Sequence, residues 1–110
     1  MELLAALNTG HEGGCGTIHA NSAYDVPARV EALCLAAGLD RAAAHSQFLA
    51  GVDAVLHLGR DVDGGRVLRE VAVPRSRSDG LAEMETAVSF SGAGCVAGPG
   101  ESVLAARLAA

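Results

Sequence analysis

The sequence predicts an α/β fold in which two helices precede a β-hairpin. Apolar residues recur at helical spacing in residues 26–37, a pattern typical of an amphipathic helix. A second helical stretch, residues 41–50, stands between an aspartate and a glycine that would begin and end it. Two strand-like stretches, residues 52–58 and 66–73, then flank the turn sequence DVDGG at 61–65, which predicts a hairpin.

Length and composition limit the possible functions. The chain has 110 residues, which fits one compact domain or part of a larger one. Its net charge of −5 argues against a dedicated nucleic-acid-binding protein. All eight basic residues are arginine, so the phosphate-binding P-loop GxxxxGK(S/T), which needs a lysine, is absent. There is neither a signal-peptide pattern nor an apolar run near the ~20 residues of a membrane span. We therefore expect a cytoplasmic protein without membrane insertion.

The chain begins with a short helical stretch, residues 2–8, which is rich in alanine and leucine. Thr9 and Gly10 would end this helix. Isolated helices below roughly 12 residues are marginal, so we interpret this stretch as the end of a longer element.

A loop with the sequence TGHEGGCGTIHANS follows at residues 9–22. It contains His11 and His19, separated by a glycine-rich run. Glycine allows backbone N–H groups to approach a ligand closely, and histidine titrates near neutral pH. Residues 18–20 are predicted to be the end of a short buried strand. Such a loop could sense a phosphate, hold a metal or simply turn the chain.

The helix that starts near residue 26 is predicted to be capped by Ser22 or Asp25, and Pro27 favours Asp25. A cap there places Pro27 at the second helical position, where proline is tolerated. Ser22 and Asp25 have capping-box spacing, and Gly38 would end the helix. Arg29 stands four residues after Asp25 and would form a weak ion pair with it if both are exposed. The predicted apolar stripe consists of Val26, Val30, Leu33, Cys34 and Ala37.

The second helix is predicted to be capped by Asp40, ended by Gly51, and packed inward through Phe48 and Leu49. Residues 52–58 are expected to be a strand that is buried on both faces. After Pro74 the composition changes, and residues 74–110 are interpreted as a Gly/Ala-rich tail with one strand at 86–90 and a terminal helix at 101–108.

Two other kinds of chemistry are disfavoured by spacing. The cysteines lie far apart, at Cys15, Cys34 and Cys95, without a CxxC pair, so we expect reduced thiols. A metal site from His11, Glu12, Cys15 and His19 is chemically conceivable, but this run is not an HExxH helix, and no metal is predicted. A catalytic Cys15 paired with His19 or His11 has no identifiable orienting partner. Two further histidines, His45 and His57, have no motif context and are interpreted as structural.

The order of the segments resembles the type II/IV secretion ATPase family, specifically its tight-adherence (Flp) pilus assembly branch, called CpaF-like. The segments are ALNTGHEGG, then GTIHANSAYDVPARVEAL, a short helix, and a strand ending in VLHLGRD before a glycine turn. The resemblance covers residues 2–73 in order. It divides the chain into residues 1–73, part of an ATPase C-terminal domain, and the tail 74–110.

This resemblance implies the C-terminal portion of a RecA-like P-loop ATPase domain, with the order helix, strand, helix, helix and β-hairpin. Members of the family form cytoplasmic hexamers at the inner face of the membrane, where they act with platform proteins and use ATP and Mg²⁺ to drive pilus assembly or secretion. The TIHAN segment matches the histidine box, in which His19 would sense the nucleotide state, together with His11. Thr17 and Arg29 are possible supporting residues.

The sequence also departs from the family. The Walker A loop and the Walker B glutamate would lie before Met1, and phosphoryl transfer depends on the groups that they supply. We therefore expect no ATP hydrolysis and no bound cofactor for this chain alone. The alternative hypothesis is a non-catalytic interaction module that docks onto a full-length ATPase ring through its sheet edge and helices.

Overall fold

The computed structural model of the protein describes residues 16–109. After a single 3₁₀ turn (Ala23–Asp25), the elements are α1 (Val26–Ala36), α2 (Arg41–Gly51), β1 (Val55–Arg60), β2 (Arg66–Ser76), β3 (Ala82–Ser91), β4 (Gly94–Ala97) and α3 (Glu101–Ala109). The predicted mixture of helices and strands is therefore confirmed, whereas the RecA-like architecture stays a prediction. The expected helix at 2–8 lies outside the described residues. None of the helices within 16–109 combines the length and hydrophobicity that a membrane crossing needs.

Helix α1 begins and ends where the sequence predicts. Asp25 occupies the N-cap position, although its side chain accepts no capping hydrogen bond, and Pro27 lies in the first turn. Gly38 has a φ of 92° just after the helix, as a left-handed C′ residue does. The capping box does not form, because the 3₁₀ turn separates Ser22 from the start of α1. Instead, the Ser22 hydroxyl donates a hydrogen bond to Asp25 Oδ2 at 3.2 Å. In the predicted stripe Val26, Val30 and Cys34 are buried, whereas Leu33 is 40% exposed.

Helix α2 is held at its start by Asp40, whose Oδ1 accepts a hydrogen bond from the backbone N–H of Ala43 at 2.7 Å. This confirms the predicted cap. Phe48 is only 2% exposed and Leu49 packs against the same core, as predicted.

The sheet is antiparallel throughout, with the strand order β1-β2-β3-β4. The predicted hairpin is confirmed, since Arg60 pairs with Arg66 across the turn. Within that turn, Asp61 Oδ1 accepts hydrogen bonds from the N–H groups of Asp63 and Gly65, at 2.9 and 3.1 Å. An aspartate side chain that binds its own turn backbone stabilises such a loop.

Strand β2 continues three residues beyond the predicted end at Val73. Proline is tolerated here because β1 pairs with β2 only as far as Ala72, so Pro74 lacks an N–H where no neighbouring strand needs it. On its other side β2 pairs with β3 from Glu70 to Ser76. The division at 73/74 itself stays a prediction.

Besides the capping box, two expectations about strands are wrong. Residues 18–20 have no regular secondary structure, because in the described part of the chain no strand lies beside them to complete a ladder. Strand β1 is not buried on both faces: its exposure alternates, with Leu56 and Leu58 at 59% and 53% exposed. The reason is that one face of β1 packs toward the core through Val55, and no element of the described chain covers the other face.

The core lies between the two long helices and one face of the sheet. Its buried members come from α1, α2 and β3: Val26, Val30, Cys34, Ala44, Phe48 and Ala82. Helix α3 contacts β3, and Arg107 donates a hydrogen bond to the backbone oxygen of Asp53, which precedes β1. Ile18 and Ala20, which belong to the histidine loop before α1, pack against this core.

Candidate functional site

The described part of the histidine loop, residues 16–22, contacts the core through alternate residues. Ile18 and Ala20 are half-buried and pack against the core. Thr17 and His19 are exposed. His19 therefore lies between two residues that pack against the core, with its own side chain accessible to a ligand.

The other half of the predicted site lies outside the described residues. His11 belongs to that half, as do Glu12 and Cys15 of the disfavoured metal site. Within residues 16–109 no group of three or more metal-binding side chains is present. The prediction that the protein binds no metal stays a prediction.

Arg29 lies on α1 and is exposed. The expected ion pair with Asp25 does not form: Asp25 instead accepts the hydroxyl hydrogen of Ser22. Among the described residues, Thr17, His19 and Arg29 form no hydrogen bond or ion pair with one another. The side chains of His19 and Arg29 are both exposed, so a bound group can reach them.

Sequence reasoning missed a polar cluster that joins the two long helices to the sheet. Glu31 Oε1 on α1 accepts hydrogen bonds from Arg41 Nε at 2.8 Å and from His45 Nε2 at 2.7 Å. The opposite ring nitrogen, His45 Nδ1, accepts a hydrogen bond from the backbone N–H of Ala82 at 2.8 Å. The hydrogen bonds from His45 and Arg41 hold the pKa of Glu31 below its ordinary value of 4.5.

A shallow cleft of about 180 Å³ opens beside this cluster. A carboxylate next to an imidazole resembles an acid–base pair, but both nitrogens of His45 are already occupied, and the side chain is buried. A general base needs a free lone pair within reach of its substrate. The cluster therefore lacks the free lone pair of an acid–base site, which agrees with the absence of a motif around His45 in the sequence.

The position of His45 within α2 could have revealed this role. Ala44, His45 and Phe48 are the buried residues of the helix, and their spacing places them on one face. A histidine within an apolar face has to find hydrogen-bond partners. Pairing it with Glu31, 14 residues earlier, required the tertiary structure.

Comparisons with known proteins give a consistent assignment. A family model described as "Type II/IV secretion system protein" matches residues 1–96. Two relatives from Mycobacterium tuberculosis, strains CDC 1551 / Oshkosh and ATCC 25618 / H37Rv, are provisionally named conjugal transfer proteins. Each is 61% identical over 75 residues, which cover 68% of this chain and 21% of the relative. The chain thus spans about a fifth of the length of these relatives.

Proposed function

We propose that this chain, which belongs to the type II/IV secretion system protein family, carries the nucleotide-sensing segment of an ATP-hydrolysing transport motor. The observation that supports this proposal most strongly is the match over residues 1–96, which includes the whole histidine loop. The exposure of Thr17 and His19 on an anchored backbone is compatible with such a role. A group that senses a phosphate has to reach it from a backbone whose position is fixed.

The chemistry of the segment fits a supporting role beside a nucleotide rather than a complete site. The chain has no lysine, so the phosphate-cradling loop would come from another part of a longer protein, and we propose that the Mg²⁺ ligands lie there too. His19 would hydrogen-bond a terminal phosphate oxygen, and Arg29 would add positive charge from α1. When bound, ATP with Mg²⁺ supplies the phosphoryl group whose presence or absence the histidine reports. His11 is proposed as a second sensor residue.

The cargo of the motor is a separate proposal. The pairing of TGH with TIHAN favours the CpaF-like pilus assembly branch, whereas the names of the M. tuberculosis relatives point to conjugal transfer. In the CpaF-like setting, the proposed motor is a hexameric ATPase on the cytoplasmic face of the inner membrane, beside platform proteins. The negative charge of the chain disfavours direct contact between this segment and nucleic acid in either setting.

The role of His19 is tested in a chimera, because this chain alone is not expected to hydrolyse ATP. Residues 1–96 replace the corresponding segment of one M. tuberculosis relative, after that relative has been shown to hydrolyse ATP. In the chimera His19→Ala is expected to lower kcat by about a hundredfold, the effect of one lost polar contact to the transition state. His57→Ala, in β1, is the matched control and is expected to leave kcat unchanged. Equal rates for the chimera and its His19→Ala variant would refute the sensing role.

The second candidate function is an interaction module that docks onto a full-length ATPase ring. The observation in its favour is the edge strand β1, which presents Leu56 and Leu58 to solvent. Exposed strand edges with apolar side chains readily pair with another chain. Co-sedimentation of this chain with the full-length relative distinguishes the two: an interaction module binds and loses binding in Leu58→Glu, whereas the motor segment alone is not expected to bind.

A further inference from the structure

His45 is the buried ionisable group that the proposed function does not use. Only 6% of its surface is exposed, and it lies where α1, α2 and the start of β3 meet. Its Nε2 lies 2.7 Å from Glu31 Oε1, and its Nδ1 lies 2.8 Å from the backbone nitrogen of Ala82. Both nitrogens of the imidazole thus have a partner on a different element.

These two contacts determine where the ring carries its proton. A backbone N–H can only donate, so His45 Nδ1 must hold the lone pair that accepts from Ala82. The proton of the neutral ring is then on Nε2, from which it is donated to Glu31. The neutral ring in this tautomer satisfies both neighbours.

A second proton on the ring changes one of these contacts and leaves the other in place. Nε2–H donates to Glu31 in both forms, so the contact with α1 persists. At Nδ1, however, the added N–H points at the N–H of Ala82, and two donors then face each other in a buried position. A buried donor without an acceptor is costly, so the charged ring has to separate from the start of β3.

We propose that His45 is a proton-operated latch: the neutral ring holds the first residue of β3 against α2, and the protonated ring releases it. The segment that would move is the turn between β2 and β3, which is closed by the hydrogen bond from Arg77 N–H to Leu81 O at 2.8 Å. The release would open the cleft beside the ring.

The charged and ionisable side chains around the latch come from every element packed against it. They line the same cleft: Glu31 from α1, Arg41 from α2, Arg77 from the turn, Glu83 from β3 and Tyr24 from the 3₁₀ turn. Two carboxylates and two guanidinium groups oppose each other here, so the cleft wall has no strong net charge. Glu31 keeps its hydrogen bond to the ring in both protonation states, and therefore the contact at Ala82 decides the outcome.

The latch is tested on the unmodified chain by NMR spectroscopy. Long-range ¹H–¹⁵N correlation of the histidine ring is expected to show the Nε2–H tautomer of His45 at about pH 8. On acidification to about pH 5, hydrogen-exchange protection of the Ala82 amide, corrected for the intrinsic rate, is expected to fall on the order of tenfold to a hundredfold. The Ala72 amide, in the middle of the sheet and fully buried, is the internal control and should keep its protection.

Two variants separate the latch from other effects of acid. In His45→Asn the side-chain oxygen lies near the place of Nδ1 and accepts from Ala82 without titrating, so the protection of Ala82 should no longer depend on pH. His57→Asn is the matched control and should behave like the unmodified chain. Ala82 protection that is unchanged between about pH 8 and pH 5 would overturn the proposal. So would an Nδ1–H tautomer at about pH 8, or the same loss of protection in His45→Asn.

Discussion

Substitution of Gly98 tests how the last 12 described residues pack against the sheet. Its backbone N–H donates to Ala87 O at 2.8 Å, and the N–H of Gly100 donates to Thr86 O at 2.9 Å. A Cβ atom at position 98 would overlap the Thr86 carbonyl oxygen and stand 3.0 Å from the carbonyl carbon and 3.3 Å from Thr86 Cβ. The obstacle is strand backbone, which cannot rotate away as a side chain can.

The Gly98→Ala variant is therefore expected to destabilise the fold by about 2 kcal/mol. Overpacking costs roughly 1–3 kcal/mol, and escape by lifting the segment sacrifices two backbone hydrogen bonds that contribute about 1 kcal/mol each. For a domain of this size the thermal midpoint should fall by roughly 8–16 °C.

The assay is urea and thermal unfolding followed by circular dichroism. Gly92→Ala is the matched control, because a Cβ atom there would meet no heavy atom within 4 Å, and its effect should stay within about 0.5 kcal/mol. Equal midpoints for the two variants would show that the segment after β4 does not pack on β3, and would refute the reasoning.

Three further predictions concern the core, a helix cap and acid stability. The Phe48 side chain is 2% exposed, and Phe48→Ala should lower the free energy of unfolding by about 3–5 kcal/mol. Leu108 is 78% exposed, and Leu108→Ala should have little effect. Similar urea midpoints for the two variants would contradict this. Asp40→Ala removes the hydrogen bond to the Ala43 N–H and should lower the free energy of unfolding by about 1 kcal/mol. Asp63→Ala, the control in the same urea titration, should cause no measurable change. Because the folded-state pKa of Glu31 is lowered, its contribution to stability is present above its ordinary pKa of 4.5 and disappears as the pH falls through the lower folded-state pKa. Below about pH 4.5, the urea midpoint of Glu31→Gln should therefore decrease less steeply with falling pH than that of the unmodified chain. Equal slopes for the two proteins would contradict the lowered pKa of Glu31.

The elements that the sequence predicts best are those that depend on local chemistry. Asp40 and Gly38 mark helix ends through the bonds and the dihedral angles that they favour, and both lie where predicted. Asp61 fixes the hairpin turn in the same local way. These features need no knowledge of the rest of the chain.

The features that the sequence does not reveal depend on what lies beside a segment in space. Burial of β1 on both faces requires a second layer, and the exposed Leu56 shows that the described fold has none there. A strand at residues 18–20 requires a pairing neighbour, which the described part of the chain does not provide. The bond between His45 and Glu31 joins two helices whose relative placement no periodicity specifies.

In the candidate site too, some features follow from the local sequence and others do not. Exposure of His19 and anchoring through Ile18 agree with the alternation of polar and apolar residues in GTIHAN. The expected pairing of Arg29 with Asp25 does not form, and Asp25 Oδ2 instead accepts a hydrogen bond from the Ser22 hydroxyl. Spacing of four residues on an exposed helix face permits an ion pair but does not enforce it.

Whether His19 meets a nucleotide can be measured directly in the chimera with the M. tuberculosis relative. Diethylpyrocarbonate modifies accessible histidines, and mass spectrometry of the resulting peptides locates each modified ring. A non-hydrolysable ATP analogue with Mg²⁺ is predicted to protect His19 from modification and to leave His57 as reactive as before. If the analogue binds the chimera and His19 is modified at the same rate with and without it, this histidine does not sense the nucleotide.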